Sequence, residues 1–121
     1  FGMVTRQGWE EQIKLARYKN VFIESGGITW LFNDEFYPFR GAIEAIRQAA
    51  ALVGMEKLMW GSDYPRTITA ITYRMSYDFV LKSNELTPEE KAMFLGKNAE
   101  QFYGFKHLVE LPYIKNMSEW I

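Results

Sequence analysis

The sequence predicts an α/β domain, with parallel strands and helices packed outside them. Three observations carry this. Two short runs, Val21-Phe22-Ile23 and Lys57-Leu58-Met59-Trp60-Gly61-Ser62, are apolar without polar alternation, the pattern of strands buried on both faces. A long stretch between them repeats its apolar residues with a helical period, so the three segments form a right-handed βαβ crossover. The other segments divided by Gly, Pro and Asn read as helices, giving the order α, β, α, β, α, α, α.

The elements follow in chain order. Trp9 to Tyr18 is a predicted helix, with Trp9, Ile13 and Ala16 on one face and Glu10, Glu11 and Lys14 towards water. Asn20 breaks it, and the first strand closes at Ser25-Gly26-Gly27. Residues 28–38 are a loop or short helix. Their aromatics (Trp30, Phe32, Phe36, Tyr37) are expected to pack over the sheet end or a subunit contact, or to line the mouth of a site. The clearest helix runs from about Gly41 to Val53, because Ala42, Ile43, Ile46, Ala49, Ala50 and Val53 make one broad apolar face. Gly54 is placed to stop it in a left-handed cap. Pro65 pushes Tyr64 away from helical geometry and ends the second strand run in a turn. Ile68, Ile71, Met75 and Phe79 mark a helix from about Thr67 to Lys82. Thr87-Pro88-Glu89-Glu90 is a helix start, with Thr as N-cap, Pro at the first position and Glu90 able to bond back. That helix is expected to stop at Gly96. Asn98 would cap a further short helix, ended by Gly104, and Phe105 to Ile121 would be an irregular extension.

Composition narrows the function. A length of 121 residues suits one domain, residues 1–121. Lys and Arg total 14 against 15 Asp and Glu, a net charge of −1, which gives no electrostatic case for nucleic acid or an anionic membrane surface. No apolar run reaches the ~18–20 residues of a bilayer span. The opening Phe1-Gly2-Met3-Val4 does not read as a signal peptide. There is no Cys, which excludes disulfides and Cys-ligated zinc and fits a cytoplasmic setting. His107 is the single histidine, so a zinc site made from this chain alone would rest on carboxylates, an unusual ligand set.

The segment that carries chemistry is Leu58 to Arg66. It puts an acid, Asp63, just past the carboxyl end of a buried strand, where α/β sheets and barrels gather their reacting groups. Gly61 lets backbone or ligand come close, and Pro65 fixes the exit. A carboxylate there activates water as a general base, binds a divalent metal, or does both in turn. The plainer reading is that it bonds N–H groups of its own turn.

Leu-Met-Trp-Gly-Ser-Asp-Tyr-Pro at 58–65 resembles the last-strand motif of the amidohydrolase-related family, the branch with metal-dependent decarboxylases of carboxylated aromatic acids and lactone hydrolases. Phe94 to Phe105 is similar to that family's closing segment, where an Asn-Ala pair (Asn98-Ala99) opens the final helix, and Asn20 to Gly26 is similar to its preceding strand. The likeness spans roughly residues 1–105 in order and spacing. It implies that the chain is the C-terminal portion of a (β/α)8 barrel, two parallel strands with flanking helices, since a whole barrel takes about 250 residues. It also implies that Asp63 is a metal ligand and water activator, the metal being divalent with zinc a candidate. The family's lactonases use the acid with no obligatory metal. The family's early His-x-His pair and mid-barrel His have no counterpart, so the expected start is internal to a longer protein and the chain alone is expected to be inactive.

Neighbouring residues complete the expectations. Glu24 and Ser25 end the first strand and would face the same mouth; Glu24 is otherwise a solvated or capping residue. Arg66 would clamp a substrate carboxylate, or else make a surface ion pair. His107 is expected to be exposed. The partner is a small-molecule substrate. Two strands alone leave apolar edges, so self-association into a homo-oligomer is also expected. The non-enzymatic alternative is a helical interaction module or a self-associating α/β domain; a sugar-binding domain, suggested by the 17% aromatic content, is a weaker one.

Overall fold

The computed structural model describes residues 6–106; His107 and the rest of the C-terminal extension lie outside the described residues. Strands β1 (Ile23–Glu24) and β2 (Leu58–Met59) pair in parallel, Ile23 opposite Leu58 and Glu24 opposite Met59. Six α-helices are described: α1 (Arg6–Lys14), α2 (Ile28–Leu31), α3 (Arg40–Val53), α4 (Met75–Lys82), α5 (Pro88–Ala92) and α6 (Asn98–Tyr103). The described residues are therefore α/β, with two parallel strands among flanking helices, as expected, though each strand is shorter than the apolar run that announced it.

Helix α3 is the spine. Its face of Ala42, Ile43, Ala45, Ile46 and Ala49 is buried, and it packs against α1. Met55, Leu58, Phe79, Val80, Leu86 and Phe94 complete the buried cluster. Phe39, just before α3, is only 2% exposed at a φ of 55°. A left-handed non-glycine residue costs about 1–2 kcal/mol. Burial of the ring, edge-on to both Tyr37 and Phe79, offsets that cost.

Four local expectations meet a different structure. Gly54 does end α3, its N–H bonding to the Ala50 carbonyl, but at φ 91° and ψ 146° it is outside the left-handed helical region. The helix expected from Thr67 to Lys82 is broken: a 3-10 turn at Thr67–Thr69, then α4 from Met75. Gly96 stops nothing, because α5 and α6 are joined through a π turn, Met93–Lys97. Asn98 is helical and makes no side-chain cap. Thr87 and Glu90 do form the full capping box, and Gly104 ends α6 at a φ of 69°.

The π turn has a physical reason. The Asn98 N–H reaches back to Met93, which frees the Phe94 carbonyl from the helix ladder. That carbonyl accepts the Trp60 N–H at 2.8 Å. The Asn98 side chain, 5% exposed, donates to the Met55 and Leu58 carbonyls at 2.7 and 2.8 Å. Met59 turns its carbonyl towards β1, where it accepts the Ser25 N–H. The groups of Leu58 and Trp60 point the other way. The helical segment thus covers the edge of β2 remote from β1. Among the described residues β1 has a strand on one side only.

Candidate functional site

Parallel pairing brings the carboxyl ends of both strands to one side of the sheet. The exit of β1 is Ser25-Gly26-Gly27; that of β2 is Trp60-Gly61-Ser62-Asp63. Ser25 fastens the two exits: its N–H and its hydroxyl both donate to the Met59 carbonyl, at 2.8 and 3.0 Å. Trp60 ties the β2 exit to α4, its indole N–H donating to the Ser76 carbonyl at 3.0 Å and its ring meeting Tyr73 and Tyr77 edge-on.

Asp63 sits at a φ of 49°, a left-handed position that Asp tolerates better than most residues. Its carbonyl accepts the Thr67 N–H at 3.1 Å. Its carboxylate is exposed, and among the described residues it has no hydrogen bond or ion pair. The turn N–H of Tyr64 goes instead to the Ser62 hydroxyl at 3.2 Å. Asp63 is therefore not a turn-capping acid. Nor is it remote from β1: a Cβ on Gly27 would lie 2.7 Å from Asp63 Oδ2.

Glu24 is exposed and caps no helix; its carboxylate leans over the backbone of Gly26 and Gly61. Arg66 makes no ion pair among the described residues, and its guanidinium lies over the Trp30 ring, 5.1 Å from the centroid. Trp30 is thus the aromatic of residues 28–38 that meets a sequence-predicted site residue. Phe32 and Tyr37 pack on the core, and Phe36 is 96% exposed. A groove of about 380 Å³ runs beside β1, walled by Trp9, Ile13, Phe22, Glu24, Ile28 and Phe32 among others. Neither Asp63 nor Arg66 lines it.

A second charged cluster went unpredicted. Asp78 on α4 accepts from the Tyr37 hydroxyl at 2.7 Å and lies 3.1 Å from Lys82 and 3.7 Å from Arg74. Burial pushes its carboxyl up, but the Tyr37 hydroxyl, Lys82 and Arg74 outweigh this and hold it below the ordinary carboxylate range. The same contacts, Tyr37 first and Asp78 next, raise the Lys82 ammonium. The signal in sequence was the i, i+4 spacing Arg74-Asp78-Lys82; Tyr37 was marked as an aromatic for packing or lining a mouth, and nothing marked it as a partner of Asp78. The cluster ties the 32–39 segment to α4 rather than serving the strand ends.

Metal fit follows from the donor set. Among the described residues no three His, Cys, Asp or Glu side chains stand close enough to share an ion, so these residues do not make a metal centre by themselves. Asp63 is a single candidate ligand.

An exposed acid with no hydrogen bond or ion pair among the described residues stands past the carboxyl end of one of two parallel strands, the end at which α/β folds place their ligands. The amidohydrolase family model matches residues 1–105, and the chain belongs to that family. No curated protein and no solved structure matches it.

Proposed function

We propose that this chain is the C-terminal portion of a (β/α)8 barrel enzyme of the amidohydrolase family, and that Asp63 is its water-activating acid. The observation that carries this is the Asp63 carboxylate, held in a left-handed residue at a strand end with no partner of its own among the described residues. The outer edge of β1, with no strand beside it among the described residues, is where earlier barrel strands would join.

Hydrolysis of a lactone or amide then runs as follows. Asp63 takes a proton from water as the water oxygen bonds to the carbonyl carbon. The bond from that carbon to the ring oxygen or amide nitrogen breaks, and the proton passes from Asp63 to the leaving atom. Arg66 binds a substrate carboxylate: a guanidinium stacked on Trp30 keeps its in-plane N–H donors free. Glu24 accepts from substrate on the other side. The amidohydrolase family is generally metal-dependent. A divalent ion such as zinc, held by Asp63 and by ligands outside the described residues, would supply Lewis-acid chemistry. No step above runs through it. Decarboxylation of a carboxylated small molecule is the alternative reaction for the same residues.

The test is an assay of this chain, and of a longer chain that adds the preceding strands, against lactones, amides and aryl carboxylates. The longer chain is expected to turn over one class, the short chain none, and Asp63→Asn to cut the rate about 10²–10⁴-fold. Equal activity of both chains that survives Asp63→Ala overturns the proposal. A second reading, self-association through the open edge of β1, draws on the apolar groove beside that strand. Sedimentation that shows a monomer at all concentrations discards it.

A further inference from the structure

A carboxylate stands at the end of β1 and another past the end of β2, and each rests on a glycine of the other strand's exit, Glu24 on Gly26 of its own exit as well. A Cβ on Gly61 would overlap Glu24 Oε1 and lie 2.7 Å from the Glu24 carboxyl carbon. A Cβ on Gly27 would lie 2.7 Å from Asp63 Oδ2, 3.3 Å from its carboxyl carbon and 3.4 Å from its own Cβ. The acid that ends β1 thus leans over the exit of β2, and the acid after β2 leans over the exit of β1. Neither has a hydrogen bond or ion pair among the described residues to hold it there.

We propose that Gly27 and Gly61 are positioning residues of the site, seating Asp63 and Glu24 reciprocally between the two strand ends. The seat is steric. Without side chains at 27 and 61 each carboxylate can lie over the other strand's exit; with them, each would be displaced from it. Glu24 thereby joins Asp63 in one site as a second acceptor facing substrate. Its relevance to catalysis rests on the reading of Asp63 above, whereas the seats themselves are a matter of geometry.

The structure supplies the control. Gly27 has a φ of 70° and Gly104 a φ of 69°, but a Cβ on Gly104 would meet nothing within 4 Å. Alanine at either costs the same backbone strain, and at Gly27 alone does it also strike an acid. The experiment uses the 121-residue chain, labelled with 13C and read by its side-chain carboxylate resonances at neutral pH. Gly27→Ala is expected to move the Asp63 resonance, Gly61→Ala to move that of Glu24, and Gly104→Ala to move neither while losing as much thermal stability as Gly27→Ala. An unmoved Asp63 resonance in Gly27→Ala, or an equal movement in Gly104→Ala, overturns the proposal. If Gly27→Ala fails to fold, the unsubstituted chain decides: a nuclear Overhauser contact between the Gly27 Hα and Asp63 Hβ protons supports the seat, and its absence overturns it. Seats present with an inactive Asp63 would refute the catalytic reading alone. An active Asp63 with no seats would refute this inference alone.

Discussion

Asn98→Ala should unfold the chain more readily than any other loss of one exposed or polar side chain described above. The Nδ2 group donates to two carbonyls, Met55 at 2.7 Å and Leu58 at 2.8 Å, in a residue only 5% exposed. Both partners are acceptors, so the amide nitrogen has to face them. Alanine strands the Leu58 carbonyl away from water and leaves the Met55 carbonyl with the Leu58 N–H alone. A buried group left unsatisfied costs about 1–3 kcal/mol and the lost bond to Met55 about 0.5–1.5 kcal/mol more, so the loss is roughly 2–4 kcal/mol. That is a large part of a domain stability of about 5–15 kcal/mol. Urea denaturation followed by circular dichroism reads it directly. With a slope of about 1–3 kcal/mol per molar, the midpoint should fall by roughly 1–2 M at unchanged slope. Asn98→Asp should be worse, since a carboxylate offers the two carbonyls no donor. A loss under about 0.5 kcal/mol for Asn98→Ala, within the range of an ordinary surface substitution, would refute the reasoning.

Lys57→Met should cost about 1–3 kcal/mol by the same measurement, because its ammonium donates to the carbonyls of Tyr18, Lys19 and Val21 at 3.0, 3.1 and 3.1 Å. Thr87→Ala should cost about 0.5–2 kcal/mol, and Glu90→Gln should keep most of it, since either side chain returns a bond to the cap. Asp78 predicts an acid limb. Its folded carboxyl titrates below the unfolded one, so its contribution is complete above the unfolded value near ~4 and is lost as pH falls through the folded value. Thermal melts across that range should show a flatter acid limb in Asp78→Asn; an unchanged limb would count against the cluster. Lys82 has the opposite sign: raised in the fold, its share is complete below the unfolded value near ~10.4 and disappears as pH climbs through the folded one.

What was legible in the sequence is what adjacent residues decide. The Thr87–Glu90 box closes within one helical turn, and the α3 stripe needs only a period. Asp63 stood out as a candidate because a strand followed by an acid is a local pattern. The misses share a different cause. Gly96 and Asn98 look like a stop and a cap, yet the π turn there is fixed by Trp60 drawing on the Phe94 carbonyl, and Asn98 turns its donors to Met55 and Leu58. Those partners are distant in sequence, so no local rule names them. The seats of Glu24 and Asp63 depend on strand register, and two-residue strands announce no register. Arg66 was matched to an acid by charge, whereas the fold supplies it with the face of Trp30.

The brevity of the strands raises the question of what holds the site at all. A pair of two-residue strands has too few ladder bonds to fix itself, and an isolated two-stranded unit is marginal at best. The missing restraint comes from bonds outside the ladder. Lys57 clamps the approach to β1, Asn98 holds the start of β2, the Phe94 carbonyl holds Trp60, and Ser25 doubles its grip on Met59. Three of these four bind β2 or the residue after it. Asp63 follows within four residues of Met59, so any slip of β2 moves the acid off Gly27. Variants at Asn98 and Ser25 are therefore expected to reach the site through the strand. In an active longer chain they should lower activity together with stability, whereas Asp63→Asn should cut turnover about 10²–10⁴-fold and leave stability intact. Loss of turnover in Ser25→Ala at full stability would show that the hydroxyl acts on substrate and not on β2.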